Sequence, residues 1–461
     1  MDPNLQNRKQ REAPGGERRR VSRRRFLKLT AGASVGLALA ACAPPPAPSA
    51  APGGGEAQPA QAPKSIHMLQ WSSFIAAMDE LLIQQASQWG AENGVEVNIE
   101  RIAVNDIPAR LASAVQAQSG PDIIQMWDNW AWLYEDNLVD VSPEASALES
   151  EQGGFYDDMK AYCNVNGAWR AIPYAFVPNA FPYRTDYFQA GLGHTNWPDT
   201  TEEFIQAGAG LIDAGQPGFG IAFGHSFGDP PSFWYPWLWS HGGHEVNEDA
   251  TEVTLNSPET VAAVESAVRL FNEGFVPGTL SWDDSSNNRA YLAGQVSSTI
   301  NGASIYFVAK RDFPDIAEVT NHGLHLAGPA GRYSYQFNWS NGVMAYSNAA
   351  EPAKEFLSWI MQPEQYGPWL EAGEGYDVGV LHAYDDHPVW KKDPKILAYR
   401  DAVVQGTGRW PGWPGPPIAS AARVRNDYII VDLFAKACSG EFTPEQAAEW
   451  AAGQVARRYG L

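Results

Sequence analysis

The chain has 461 residues, 44% hydrophobic and 12% aromatic, with 32 Lys+Arg against 53 Asp+Glu and a formal net charge of −21 at pH 7. A surface this acidic repels polyanions, which excludes nucleic acid and anionic lipid faces as partners of the folded body. Only three cysteines occur. No CxxC or clustered Cys/His spacing is present, and His241-Gly242-Gly243-His244 reads as a turn, so neither a metal nor a cofactor is expected.

The N-terminal segment carries Ser22-Arg23-Arg24-Arg25-Phe26-Leu27-Lys28, a short apolar run, and then Leu39-Ala40-Ala41-Cys42. Adjacent arginines before Phe-Leu-Lys look like a twin-arginine export motif, and Leu-Ala-Ala-Cys looks like a bacterial lipobox. Residues 1–41 are therefore expected to be a signal peptide, with Cys42 lipidated and anchoring the chain to the outer face of the cytoplasmic membrane. The apolar run falls short of the roughly 20 residues that a membrane span needs. Beyond residue 41 the chain keeps 22 Lys+Arg and 50 Asp+Glu, so the exported body is more acidic than the whole chain. After Cys42, residues 43–63 hold seven prolines, seven alanines and three consecutive glycines. Such a segment builds no core; residues 42–63 read as a tether, reaching up to about 60 Å at roughly 3 Å per residue.

From residue 64 onward the chain is long enough for two domains. Residues 65–71 read as a buried strand, and Phe74 to Trp89 as a helix with Ala77, Leu81, Ala86 and Trp89 on one face. Asn93-Gly94 stops it. Val95 to Ile102 alternates as a second strand, Ile107 to Gln118 is helical, and Gly120-Pro121-Asp122 turns into a third strand, Ile123 to Trp127. This alternation predicts an α/β architecture on a parallel, doubly wound sheet. Ligands of such sheets sit beyond the carboxyl ends of the strands. Trp71, Ser72, Trp127, Asp128, Asn129 and Trp130 occupy those ends and are the first site candidates. Further on, Thr200 to Glu203, Ser257-Pro258-Glu259 and Thr443-Pro444-Glu445 are helix starts. Val261, Val264, Val268 and Phe271 are expected on the apolar face of the second of these. Cys163 and Cys438 are free thiols or a disulfide; spacing does not decide between them.

Several short motifs appear in a fixed order: Gly120-Pro121-Asp122-Ile123-Ile124; Ile172-Pro173-Tyr174 followed by Tyr183-Arg184-Thr185-Asp186-Tyr187-Phe188; Gly294-Gln295 with Ser298-Thr299-Ile300-Asn301-Gly302; and Ala353 to Ile360. Together they resemble the extracellular solute-binding proteins of ABC importers, in particular the sugar-binding group, across roughly residue 66 to the C-terminus. The resemblance implies a two-lobed periplasmic-binding-protein (Venus-flytrap) fold with three inter-lobe crossings. Lobe 1 is expected over 64–178 and 297–340, and lobe 2 over 179–296 and 341–461. It also implies a monomer that captures a small solute, a carbohydrate or polyol, by hinge closure and presents it to ABC permease subunits, with no chemistry done on the solute.

Aromatic rings suit the C–H faces of a sugar, and Asp and Asn suit its hydroxyls. The ligand candidates are accordingly Trp71, Trp127, Asp128, Asn129, Trp130, Tyr174, Phe233, Trp234, Trp282, Asp283, Asn338, Trp339 and Trp410; core packing is the competing role for each aromatic. The resemblance departs from the sugar-binding pattern at Pro230-Pro231-Ser232 and at Ser304, where an acid and aromatic rings are expected. Two rival functions follow: a non-sugar solute such as a betaine, polyamine or peptide, or a secreted carbohydrate hydrolase using Asp128, Asp229, Asp283 or Glu374. No Gly-x-Ser-x-Gly or zinc signature supports the hydrolase.

Overall fold

The computed structural model describes residues 64–461; the expected signal peptide (1–41), Cys42 and the tether lie outside them. Strand β1 (Lys64–Trp71) leads into helix α1 (Ala76–Asn93), which Gly94 ends in the left-handed region (φ 64°), donating its N–H to Gly90. β2 (Val95–Ile102) pairs in parallel with β1 along its whole length, from Lys64↔Val95 to Trp71↔Ile102. After α2 (Ile107–Ala117), β3 (Ile123–Met126) pairs in parallel on the other side of β1, with all four of its residues buried. The apolar face of α1 is Met78, Leu82, Ala86 and Trp89, with Ala77 exposed and Leu81 only half-buried. The face is thus rotated by about one residue from the predicted one. Side chains lean toward the N-terminus, so the residues that cover the sheet lie slightly C-terminal to where a flat wheel puts them.

Helices α3 (Trp130–Leu133), α4 (Ser142–Glu151) and α5 (Asp157–Cys163) follow, and then β4 (Ile172–Val177) and β5 (Phe181–Arg184). Next in the chain come α6 (Thr201–Asp213), α7 (Asp229–Ser240), α8 (Pro258–Gly274), α9 (Ser286–Leu292), α10 (Ser304–Asp312), β6 (Thr320–Gly323) and β7 (Phe337–Val343). Five helices complete the set used below: α11 (Ala350–Ile360), α12 (Pro363–Ala372), α13 (Ala419–Asn426), α14 (Ile429–Cys438) and α15 (Pro444–Tyr459). Thr200 and Thr443 close capping boxes with Glu203 and Gln446, and Ser257 accepts from the Thr260 N–H, so all three predicted helix starts are capped as expected. On α8 the buried stripe is Thr260, Ala263, Val264, Ala267 and Leu270; Val261, Val268 and Phe271 flank it.

The main sheet has the order β2-β1-β3-β7-β4. β7 runs antiparallel to both β3 and β4, so the sheet is mixed rather than all-parallel. A second sheet is assembled from short segments: β6 pairs with β5, Tyr183 bridges Ser298, and Phe219 bridges both Ser298 and Phe275. The two sheets define the two lobes of a periplasmic-binding-protein fold.

These pairings place the lobe boundaries differently from the sequence reading. Residues 297–301 and β6 belong to the second sheet, and the chain returns to the first sheet only at β7. α11 and α12 then pack on α1 and α4 of the first lobe, whereas α14 and α15 pack against α8 in the second. Ser298 to Gly302 is thus a strand of lobe 2 and its exit, not a crossing. Pairings of two to four residues are too short to leave a periodic signal in sequence. Cys163 and Cys438 are both buried, free thiols. Among the described residues, no helix is long and apolar enough to cross a membrane.

Candidate functional site

Where the carboxyl ends of β1 and β3 face the second lobe, aromatic rings gather. Trp71, the last residue of β1, lies 4.7 Å from Trp339 of β7, centroid to centroid, and Trp127, just past β3, meets Trp339 edge-on at 5.9 Å. Phe337 is two residues before Trp339, on the same face of β7, and touches both Trp127 and Phe227 of the second lobe. Phe74 stands edge-on to Trp71 and is 60% exposed, the most exposed large apolar side chain among the described residues. Trp71, Phe74, Phe227 and Phe337, with Val177, form one wall of a cavity between the lobes.

The rest of the lining is mostly polar: Asn179, Asp229, Asp284, Asn288, Asn301 and Ser304. Asp229 is the first residue of α7, and its Oδ2 accepts from the side-chain amides of Asn287 (2.7 Å) and Asn301 (3.0 Å). Burial, then the charge of Asp284, push the Asp229 carboxyl well above the usual carboxylate range. Asp284 accepts from the N–H groups of Gly228 (3.0 Å) and Asp229 (2.9 Å) and from the Ser226 hydroxyl (2.7 Å), so its carboxylate caps the N-terminus of α7. Asn301 also donates to Asn288 Oδ1, and Ser304 to Asn301 Oδ1. The cavity measures about 40 Å³ and is partly open to solvent. A larger cavity of about 680 Å³ lies at the amino ends of β1 and β3, by Ser65, Gly120 and Asp122. That is the end of the sheet away from which ligands of this topology bind.

The sequence candidates divide accordingly. Trp71 lines the cavity, and Trp127 and Trp339 back its aromatic wall. Asp128, held at φ 48°, pairs with Arg425 of α13 at 3.3 Å and accepts from the Tyr335 hydroxyl at 2.5 Å. Asn129 donates to the Pro411 carbonyl, and Trp130 stacks on Trp127. These three brace the junction between lobes beside the cavity.

The others lie elsewhere. Tyr174 packs on Tyr366 and Trp369 in the lobe 1 core. Phe233 and Trp234 are core residues of lobe 2, packed on Phe181, Phe204 and Phe434; every residue of α7 is buried, so its pattern did not distinguish cleft from core. Trp282 packs on Gly220 and Gly224, Asn338 is fully buried at the opposite-face register of β7 from Phe337 and Trp339, and the Trp410 indole closes its own loop onto Gly415. Glu374 pairs with Lys310 at the surface.

Asp283 misses the cavity by one position. It is exposed and accepts from the backbone and hydroxyls of Ser285 and Ser286 at the start of α9. Those bonds, the Ser286 hydroxyl first, hold its carboxyl down to about 2. Asp283→Ala is expected to cost about 1 kcal/mol of stability as a lost helix cap while leaving solute affinity within twofold of wild type, read by urea unfolding and titration calorimetry. Of the residues that line the cavity, Phe74, Phe227, Phe337, Asn179, Asp284 and Asn288 carried no sequence signal. Asp229, weighed only as a possible acid, and Asn301 had weak ones.

The sequence profile of the bacterial extracellular solute-binding proteins matches residues 84–398, and the chain belongs to that family. Among curated proteins it is 25% identical over 406 residues to an erythritol/L-threitol-binding protein of Mycolicibacterium smegmatis, covering 79% of this chain and 82% of that one. The GacH receptor of Streptomyces glaucescens, solved unliganded and with acarbose, superposes with a TM-score of 0.72 at 19% identity, covering 87% of this chain and 99% of the receptor. A sugar transporter from Arthrobacter chlorophenolicus with bound laminaribiose gives 0.73 at 15% identity, covering 85% and 99%. At these identities the structural matches establish the two-lobed fold.

Proposed function

We propose that the protein captures a small carbohydrate or polyol between its lobes and delivers it to an ABC permease, as a monomer tethered to the membrane through lipidated Cys42. The observation that carries this reading is the pairing of an aromatic wall with a fence of Asp and Asn side chains in one inter-lobe cavity. Rings cover the C–H faces of a sugar while carboxylate and amide groups take its hydroxyls. The likeness to a tetritol-binding relative over most of both chains supports a polyhydroxy solute. Solute that touches both lobes binds only the closed form, so binding shifts the lobes toward closure. The tether rests on the Leu39-to-Cys42 and Arg23-Arg24 motifs alone.

A thermal-shift and tryptophan-fluorescence panel of tetritols, pentitols, hexoses, disaccharides, glycine betaine and polyamines tests the reading. A ligand at 100 times its Kd stabilises by about 2.7 kcal/mol, which shows as a clear rise in melting temperature. Shifts confined to polyols and sugars, with the solute recovered unchanged, are expected. A shift from betaine or a polyamine alone would replace the carbohydrate reading with a cation-binding one, and turnover of a sugar would replace it with catalysis.

A further inference from the structure

Phe227 of the second lobe divides the cleft. It lines the cavity, and beyond it the two lobes touch each other directly. Its ring meets Trp127 at 5.8 Å and Phe337 at 4.7 Å, and its carbonyl accepts from the Arg425 guanidinium. Arg425 pairs in turn with Asp128 at 3.3 Å, with both side chains almost wholly buried. The next residue, Asn129, donates to the Pro411 carbonyl at 3.1 Å, and α3, which starts at Trp130, packs against α13. Asp128 and Asn129 directly follow β3 of lobe 1, at the end of the sheet where solutes of this topology bind, whereas α13 packs on α14 and α15 of lobe 2. None of Trp127, Asp128, Asn129, Pro411 and Arg425 lines the cavity. On this side of Phe227 the strand-end crevice is filled by the protein's own side chains.

We propose that Asp128 and Arg425 form a stop that ends the solute site at Phe227, so that the cleft takes a single sugar ring or a short polyol and excludes a disaccharide or longer chain. This rests on the carbohydrate reading and narrows it to one solute unit. Arg425 is held by three acceptors at once, Asp128, the Tyr335 hydroxyl and the Phe227 carbonyl, so it does not swing aside for a longer ligand. A second ring finds room only if the ion pair parts, which leaves two buried charges without their partners. It also holds the lobes away from the closed form that solute binding stabilises. A solute that stays on the Trp71 side of Phe227 meets neither cost. The pair therefore sets solute length without touching the solute, by building a clash against the longer competitor.

The test compares single units with their glycosides on the purified protein by titration calorimetry: erythritol against glucosylerythritol, sorbitol against maltitol, glucose against maltose and laminaribiose, and galactose against lactose. In each series whose single unit binds, the two-unit member should bind about 100-fold more weakly. Emptying the stop, Asp128→Ala with Arg425→Ala, should raise affinity for the two-unit member about tenfold, a gain that general loss of structure cannot produce. Refilling it with apolar groups, Asp128→Leu with Arg425→Met, should leave that member excluded. A two-unit solute that binds wild type within about tenfold of its single unit, or in place of it, overturns the stop even if neither variant folds. An unchanged two-unit affinity in the folded double-alanine variant overturns it too, as does an equal gain in the refilled one. Binding by no polyol or sugar of either length overturns the carbohydrate reading and this inference with it, a result distinct from a disaccharide that binds well.

Discussion

Arg425→Met is expected to destabilise the protein by about 3–5 kcal/mol, because it strips the partner from a fully buried carboxylate. Among the described residues, Asp128–Arg425 is the ion pair in which both side chains are almost wholly buried, at 1% and 2% exposed. Arg425 lies on α13, which packs against α3 in the first lobe and against α14 and α15 in the second. Its guanidinium reaches Asp128, the Tyr335 hydroxyl and the carbonyl of Phe227, so it holds the cavity wall from behind. Burial raises the Asp128 carboxyl above its ordinary range, and Arg425 and Tyr335 offset only part of that. Asp128 Oδ1 has no partner at all, so removal of the guanidinium leaves the group with one hydroxyl.

Replacing both members with apolar groups, Asp128→Leu with Arg425→Met, should recover most of the loss, since the pair itself is worth little against a hydrophobic pair of similar volume. Arg425→Lys should recover little, because a single ammonium cannot serve three acceptors in fork geometry. Urea unfolding of the four proteins measures this. A single variant within about 1 kcal/mol of wild type would mean that water already reaches the pair. Solute affinity should fall in Arg425→Met as well, since Phe227 loses the contact that fixes its backbone.

Much of this architecture could be read from the sequence, and for identifiable reasons. β2 ran as predicted because it alternates between a Gly94 stop and an Ile107 start. Thr200 and Thr443 announced helices because a hydroxyl three residues before Glu203 or Gln446 has one economical use, and Ser257 because Pro258 follows it at the first helical position. The strand-end rule took Trp71 and Trp127 to the aromatic wall. Asp283, chosen for its polar side chain and not for a strand end, missed the cavity by one residue, because adjacent aspartates differ only in the direction the backbone turns each of them. Phe227 was silent because an isolated aromatic in an irregular segment has no period to betray its face, and Phe337 because it opens a strand that is buried at every position. Tyr174, Phe233 and Trp234 were misplaced for the reverse reason: strand and helix are buried on all sides, and burial alone does not separate cleft from core. The lobe boundaries went wrong because the second sheet is held by bridges of one to four residues.

The other large effect concerns Glu245, which follows α7 and is completely buried, with neither carboxylate oxygen in a hydrogen bond. The hydroxyls of Tyr235 and Tyr459 and the Gly412 N–H lie beside it, outside hydrogen-bonding geometry, and lower its pKa only in part. Burial dominates and pushes the carboxyl from 4.5 up to about 8. The folded state therefore holds the Glu245 proton more tightly than the unfolded chain does. Stability from this group is fully present below about pH 4.5 and is lost as pH rises toward and through about 8.

At about 1.4 kcal/mol per pH unit, the total loss across that window is about 5 kcal/mol. Glu245→Gln keeps the shape and cannot ionise, so the difference between the two proteins isolates this group from the buried histidines. His322 and His325, each pushed down to about 4 by burial, act at the acid end with the opposite sense. The unfolding free energies of wild type and Glu245→Gln should be close near pH 4.5. They should then diverge in favour of the variant, by about 3 kcal/mol at pH 7 and about 5 kcal/mol above pH 8. Parallel curves across pH 5–9 would show that Glu245 ionises freely in the fold and that Tyr235, Tyr459 and Gly412 close on it as true hydrogen-bond donors.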